Sequence, residues 1–289
     1  MAKVVVLGSG VVGAATGHGF GHYGHDVTLV DIDPVRVERL RSQGHDATTT
    51  LDLTGAGAFV FVSLPTPSTR DSGYNLSQLT SGLETLGKAL GSAMERHTVV
   101  VRSTVPPHTT DQIVIPTLER TSGRTAGDDF LVAYAPEFLR EASAKEDAVS
   151  PWMTVLASRS PEALSELTAL FKPFGGELKT FDDPVVAEVI KIAHNAFNAT
   201  KISFWNEMWR LCQQLAVDAG QVAGTVARSS EGSTNPAYGI RGGSPYAGAC
   251  LSKDMDGLLG LARSLGLDLP LIASAQLENR IIAEGSRRD

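Results

Sequence analysis

Short continuous apolar runs alternate with longer stretches of helical periodicity through the first part of the chain. Residues 4–10 (VVVLGSG) read as a buried strand, 12–24 as a glycine-tolerant helix and 26–33 (DVTLVDID) as a second strand. Pro34 opens a further helix, since proline is tolerated where the helical amide has no partner. Apolar runs at 59–65, 98–106 and 130–137 continue the series, with a helix-like segment at 76–94, and two shorter strands follow at 152–158 and 177–182. Strands that are apolar throughout, separated by helices, predict a parallel sheet covered on both faces.

The period changes near residue 182. Residues 185–219 contain neither glycine nor proline, follow Asp183 as N-cap and Pro184 at the first helical position, and end at Gly220. Val186, Ile190, Ala193, Phe197, Phe204, Met208, Leu211 and Leu215 recur close to a 3.6-residue period. One helix about 50 Å long is predicted, longer than a small domain covers, so it is expected to cross between domains and meet a second subunit. Trp205 and Trp209 belong either to that contact or to the core. A glycine-rich loop follows, then two closing helices within 255–266 and 269–285. The expected architecture is α/β: a Rossmann-type doubly wound parallel sheet over 1–181, then a long central helix and a small all-helical substrate and dimerisation domain over 182–289.

Composition narrows the partners. The 289 residues carry a formal net charge of −7, without the lysine and arginine runs that release counterions from nucleic acid. No stretch has the length and polarity of a signal peptide or a membrane-spanning helix. Two cysteines, Cys212 and Cys250, make no disulfide framework, so a reducing cytoplasm is expected. No metal site is expected.

Gly8, Gly10 and Gly13 form GxGxxG directly after a strand and at the opening of a helix that begins with Val11 and Val12. Asp31 ends the next strand. Glycines there admit a pyrophosphate to the helix N-terminus, and an acid at that distance accepts ribose hydroxyls and repels a 2′-phosphate. NAD is the expected cofactor.

Cys250 lies in GACLSKD (248–254), glycine and alanine before it and Lys253 and Asp254 after it, a polar setting that favours a reactive thiol over an inert one. Cys212, beside Leu211 in the long helix, reads as core. Lys191 and Asn195, four apart, share a helix face, either a solvated one or one aimed at a developing negative charge. Glu137 and Glu141 follow a strand end, where open α/β sheets bind ligands; they are either site carboxylates or the charges of a helix's first turn.

Six ordered motifs carry a resemblance: VLGSGVVG, SLPTP (63–67), RSTVPP (102–107), APEFLREASA (135–144), EVIKIAHNAFNATKISFWNE (188–207) and GACLSKD. Over residues 1–279 the chain resembles the UDP-glucose/GDP-mannose 6-dehydrogenase family. That likeness implies a four-electron oxidation of a sugar primary alcohol to a carboxylate with two NAD and a cysteine. Cys250 would form a thiohemiacetal and then a thioester, with Lys191 and Asn195 at the substrate oxygen and Glu137 assisting hydrolysis. Asp254 and Thr104 would order a catalytic water. Pro65, Thr66, Ser103, Thr104 and Lys253 would join the cofactor site, and Phe138, Leu139, Glu141, Tyr246 and Arg241 the substrate site.

Departures accompany the likeness. The family's third, nucleotide-sugar-binding domain has no counterpart in this sequence, so the expectation is a short form, a domain supplied by a separate chain, or a smaller substrate; UDP-glucose would then be a poor one. Ala247, Ala249 and Ser252 replace residues usual around the cysteine, and Thr234 stands where the family often has an arginine, leaving Arg228 or Arg241 as substitutes. Two other readings stay open: a two-electron dehydrogenase of the hydroxyacid or 6-phosphogluconate kind, in which Cys250 has no task, and a non-catalytic NAD-binding assembly module. A homodimer through the long helix is expected.

Overall fold

The computed structural model of the protein describes residues 1–69, 73–240, 242–246 and 249–285. They form two compact units, Met1–His194 and Asn195–Asp289.

The first unit is built on eight strands: β1 (Lys3–Leu7), β2 (Asp26–Val30), β3 (Asp46–Thr48), β4 (Ala58–Val62), β5 (Thr98–Val101), β6 (Leu131–Tyr134), β7 (Met153–Ala157) and β8 (Glu177–Phe181). Their order across the sheet is β8-β7-β6-β5-β4-β1-β2-β3. The chain thus winds outward from β1 in one direction through β2 and β3, then crosses to β4 and winds the other way. Between β1 and β4 lies the switch point, where sheets of this kind open a crevice at their carboxyl ends. Parallel pairing joins all neighbours except β6 and β7, which meet antiparallel at Tyr134 and Ala157. The all-parallel expectation fails at that one seam. The connection, residues 135–152, carries the turn Glu141–Ser143 and the six-residue α5 (Ala144–Val149) in place of a long crossover helix.

Side-chain alternation divides the core. Val5, Leu7, Val60, Val62, Val99, Val101 and Tyr134 face α3 (Ser77–Ser92) and α4 (Ile115–Ser122), through Leu79, Leu83, Leu86 and Leu118. Val4, Val6, Phe61, Val100 and Leu156 face the opposite layer, where Phe20 of α1 (Val11–His22), Val37 and Leu40 of α2 (Pro34–Ser42), and Leu167 of α6 (Pro161–Phe171) pack. Phe20 sits among Phe61, Phe171 and Phe174 at centroid distances of 4.8, 5.3 and 5.1 Å. Strands buried on both faces are therefore apolar at successive positions, which is the pattern the sequence displays.

The long helix α7 runs Pro184–Gln214, about 46 Å for its 31 residues. Asp183 caps it as expected, its carboxylate accepting the Val185 amide at 3.0 Å. It stops earlier than the sequence suggested. Ala216 takes a left-handed φ of 53°, and the amides of Ala216 and Val217 donate to the carbonyls of Gln213 and Cys212, closing a Schellman motif. Asp218 then caps a separate helix, α8 (Ala219–Ser229), through the Gln221 amide, so Gly220 lies inside α8 and ends nothing. The start of α7 packs on the sheet through Ala187 and Ile190. For that reason the compact unit built on the sheet extends along α7 to His194.

The second unit holds the rest of α7, then α8, the single turn α9 (Glu231–Thr234), α10 (Ala249–Ser264) and α11 (Pro270–Gly285). Ala262, Leu269 and Ile272 form its small buried core with Phe204, Met208 and Leu258 around them. Glu207, 4% exposed, accepts the amides of Leu271 at 2.7 Å and Ile272 at 3.2 Å, so a buried carboxylate of α7 satisfies the open N-terminus of α11. Cys212 is buried, as its apolar neighbours implied.

Two substitutions test these joints by chemical denaturation. Ala216→Gly relieves the left-handed strain and is expected to stabilise by up to about 1 kcal/mol. Glu207→Ala leaves two buried amides unpaired and is expected to destabilise the second unit by roughly 1–3 kcal/mol.

Candidate active site

A cleft of about 690 Å³ opens at the carboxyl ends of β1, β2 and β4, walled by Gly8, Gly10, Asp31, Ser63, Leu64 and Pro65 among others. Its floor depends on glycine. Gly8 has φ +90°, and a Cβ there would lie 2.5 Å from the Ser63 carbonyl oxygen; one on Gly13 would run into the carbonyl of Gly8. Gly10 differs, with nothing within 4 Å of a Cβ, which leaves open space before the first turn of α1. No side chain caps that helix, so the amides at Val11 and Val12 remain available to an anion.

Asp31, 5% exposed, closes the rim. It accepts the Ser9 amide at 2.8 Å, the Asp33 amide at 3.0 Å and Arg36 Nη1 at 2.9 Å. Burial pushes its carboxyl up, but the Asp33 amide, the Arg36 guanidinium and the Ser9 amide together outweigh this and hold it below the usual carboxylate range. The Ser63 hydroxyl, buried in the wall, has no hydrogen-bond partner among the described residues. An uncapped helix, an open position at Gly10, an ionised acid at the rim and an unsatisfied hydroxyl fit a dinucleotide, with pyrophosphate at α1 and ribose at Asp31.

The loops after β4 and β5 are tied together. Thr66 Oγ1 donates to the Thr104 carbonyl at 2.6 Å, and Ser103 Oγ donates to the Leu64 carbonyl at 2.7 Å while accepting the Leu64 amide at 2.8 Å. The Ser103 hydroxyl is thereby spent on the loop itself. Further along, His108 takes φ 70°, and Glu188 of α7, fully buried, accepts the amides of His108 and Thr110 and the Thr110 hydroxyl at 2.6, 2.8 and 2.6 Å. That latch fixes the start of α7 against the sheet edge.

Three residues on from Glu188, Lys191 is 4% exposed. Its ammonium donates to the Glu137 carbonyl at 2.6 Å and to Glu137 Oε1 at 3.0 Å, and it lies 5.5 Å from the centre of the Phe138 ring. Glu137 Oε2 accepts the Leu139 amide at 2.6 Å. Glu137 therefore occupies the loop after β6, not the first turn of a helix; Glu141 opens a separate turn, Glu141–Ser143, and its side chain lies outside the described residues. His194 packs edge-on to Phe138 at 4.8 Å and stacks on Trp152 at 6.4 Å. Burial and the Lys191 charge lower its pKa, favouring the neutral imidazole.

The remaining expected residues belong to the second unit. Asn195, one turn beyond Lys191 on α7, is exposed. Cys250 is the second residue of α10 rather than part of a loop, with its backbone at a helix N-terminus; its side chain lies outside the described residues. Lys253 and Asp254 are exposed and 3.4 Å apart. Tyr246 exchanges backbone hydrogen bonds with the Asn279 amide at 2.7 and 3.1 Å, and its buried hydroxyl has no partner among the described residues. Arg241 lies outside the described residues.

Sequence reasoning had Glu137 and Lys191 as separate candidates and missed their pairing, the Glu188 latch and the buried Arg102. The signal for Arg102 was a charged residue directly after the all-apolar β5.

Comparison with known proteins places the chain in a family. Residues 2–49 and 44–175 match the NAD binding domain of the UDP-glucose/GDP-mannose dehydrogenase family, and residues 185–280 match that family's central domain. The UDP-glucose 6-dehydrogenase AglM of Haloferax volcanii is 34% identical over 94% of this chain and 68% of its own length. A GDP-mannose 6-dehydrogenase of Pseudomonas syringae is 32% identical over 96% of this chain and 68% of its own. The crystal structure of a ternary complex of GDP-mannose dehydrogenase from Pseudomonas aeruginosa superposes with a TM-score of 0.90 at 28% identity, covering 97% of this chain and 69% of that one. Among the described residues no helix is long and apolar enough to cross a membrane. With its Rossmann cleft, its central helix and these matches, the chain belongs to the UDP-glucose/GDP-mannose dehydrogenase family and is an NAD-dependent oxidoreductase.

Proposed function

We propose that the protein oxidises the primary alcohol of a nucleotide-linked sugar to a carboxylate in two NAD-dependent steps, with Cys250 as the covalent nucleophile. The observation that carries this reading is the buried Lys191–Glu137 pair, a cation and a carboxylate locked together at the carboxyl edge of the sheet. Supporting it are the family matches and the sugar 6-dehydrogenase names of the relatives.

Bound NAD supplies the hydride acceptor. Lys191 uses two donor directions on Glu137, leaving a third for the substrate oxygen. Its charge stabilises the alkoxide in the first oxidation and the oxyanion in the second, with the Asn195 amide as a further donor. The Cys250 thiolate adds to the aldehyde carbon, giving a thiohemiacetal; loss of a second hydride equivalent leaves a thioester. Glu137 takes a proton from water as that water attacks the thioester, and the carboxylate product leaves with the thiolate restored. Thr104 and Asp254 order that water. The balance is one alcohol, two NAD and one water to one carboxylate, two NADH and three protons.

In this reading the dinucleotide prefers NAD because ionised Asp31 would meet a 2′-phosphate. The second unit pairs with its copy through α7, which exposes Phe197, Ile202 and Trp209 by 67, 62 and 55%.

Stoichiometry tests the chemistry. With UDP-glucose and GDP-mannose offered in turn, two NADH are expected per carboxylate from whichever sugar is oxidised, and Cys250→Ala should lower kcat by about 10³-fold or more. One NADH per sugar together with full activity in that variant refutes the covalent route. Asp31→Asn should raise the KM for NAD about tenfold and let the released Arg36 admit NADP; unchanged NAD kinetics would remove Asp31 from the ribose site. Light scattering should give a dimer that Trp209→Glu dissociates, and a monomer in the unaltered protein would dispose of the α7 pairing.

A further inference from the structure

Glu188 is fully buried and, among the described residues, has no cation within ion-pairing distance. Its partners all come from the loop after β5. Oε2 accepts the His108 amide at 2.6 Å, and Oε1 accepts the Thr110 amide at 2.8 Å and the Thr110 hydroxyl at 2.6 Å. These residues stand 80 and 78 positions earlier in the chain. His108 takes φ 70°, a conformation that a non-glycine residue adopts at a cost, and the carboxylate holds it there.

The same loop is tied down at its other end. Thr104 accepts Thr66 Oγ1, and Ser103 Oγ bonds both backbone groups of Leu64. Ser63, Leu64 and Pro65 wall the dinucleotide cleft. Lys191 stands three positions beyond Glu188 on α7, which makes the two neighbours along the helix, and its ammonium holds Glu137. An unbroken run of contacts therefore leads from the cleft wall through the loop to Glu188, and through one turn of helix to the buried ammonium.

A competing account makes Glu188 a cap alone. The helical turn Thr110–Val114, which leads into α4, has no side-chain cap of its own, and Thr109 before it spends its hydroxyl on the Pro106 carbonyl at 2.7 Å. Glu188 meets that need much as Glu207 does for α11. A cap alone, however, asks only for a serine or aspartate at position 109, without burying a carboxylate brought from another element. The distant carboxylate adds a tie between the loop and α7.

We propose that Glu188 is a positioning residue for Lys191: by binding the loop after β5 it sets the turn of α7 that carries Lys191 in register with the wall of the dinucleotide cleft. The assignment rests on the reading in which Lys191 stabilises the substrate oxygen while NAD in the cleft receives the hydride. Register matters there, because a misplacement of about 1 Å between reacting groups costs about 10²-fold in rate.

Two readouts test it, one of them independent of turnover. Reductive methylation with formaldehyde and cyanoborohydride, followed by peptide mass spectrometry, reports the access of each lysine ammonium. In the unaltered protein Lys191, with its side chain 5% exposed, should react far more slowly than Lys179 at 52%. Glu188→Gln should raise the Lys191 rate about tenfold or more and leave Lys179 unchanged, with hydrogen exchange of the β5 amides showing the sheet intact. Kinetics with the sugar nucleotide that is oxidised then compare Glu188→Gln, Lys191→Ala and the double variant. On the Lys191 background Glu188→Gln should lower kcat about tenfold or more with the KM for NAD within about twofold, and on the Lys191→Ala background it should lower kcat no further.

A Lys191 that stays protected in folded Glu188→Gln overturns the proposal in favour of the cap. So does a loss of kcat of equal size with and without Lys191. Thr110→Val keeps both amide contacts and serves where Glu188→Gln does not fold; a Lys191 rate that does not rise in it also overturns the proposal. Should Lys191 become reactive as expected while Lys191→Ala keeps full kcat, the proposed role of Lys191 in the chemistry fails and its positioning by Glu188 stands.

Discussion

A buried ammonium must find a countercharge, and that requirement organises the edge of the first unit where α7 meets the loop after β6. Lys191 enters on α7 and Glu137 on the loop after β6, 54 residues apart in sequence, and they meet at 3.0 Å with side chains 5 and 12% exposed. Breaking a buried pair by removing one partner costs about 3–5 kcal/mol, far more than either residue contributes on a surface. The second contact, from the ammonium to the Glu137 carbonyl, adds a direction to the charge. Glu137 is left with a fixed backbone, one oxygen on Lys191 and one on the Leu139 amide, and a geometry that does not depend on a bound substrate.

Everything that fixes α7 therefore acts on the site. Asp183 sets the first turn, Glu188 latches the second to the strained loop at His108, and Lys191 completes the third. These three carboxylate and ammonium contacts occur within nine residues, from 183 to 191. The same helix then leaves the first unit, so the element that positions the ion pair also carries Asn195 and the core of the second unit. Strain at His108 is tolerated because its amide is held at 2.6 Å by a carboxylate that has no solvent to turn to.

Much of this was legible in the sequence, for reasons that differ by element. The strands could be read because burial on both faces requires apolar residues in succession, and GxGxxG followed by Asp31 could be read because a phosphate cradle constrains each position sterically. The end of α7 could not. Ala216 occupies a left-handed position that ordinarily announces itself as glycine, and the next glycine, Gly220, misled the boundary by lying within α8. The three-residue β3 was too short to show a pattern. The reversed seam at β6 and β7 was invisible because direction is set by the connection and not by the strand. Among site residues, Glu137 and Lys191 each stood out by motif, but their pairing is tertiary, and no spacing rule reaches across 54 positions.

Arg102 and Asp31 make an instructive contrast in how one sheet edge handles charge. Asp31 gathers two amides and a guanidinium, so its burial is compensated locally and its charge is stable without a ligand. Arg102 has a hydroxyl and a carbonyl, both neutral, and no carboxylate within ion-pairing distance among the described residues. A fold selected for stability alone would replace such a guanidinium with an apolar side chain, because neutral acceptors recover only part of the desolvation cost. The edge beyond β5 and β6 holds Lys191 and Arg102 with the carboxylates Glu137 and Glu188, so its charges balance among the described residues while their contacts do not.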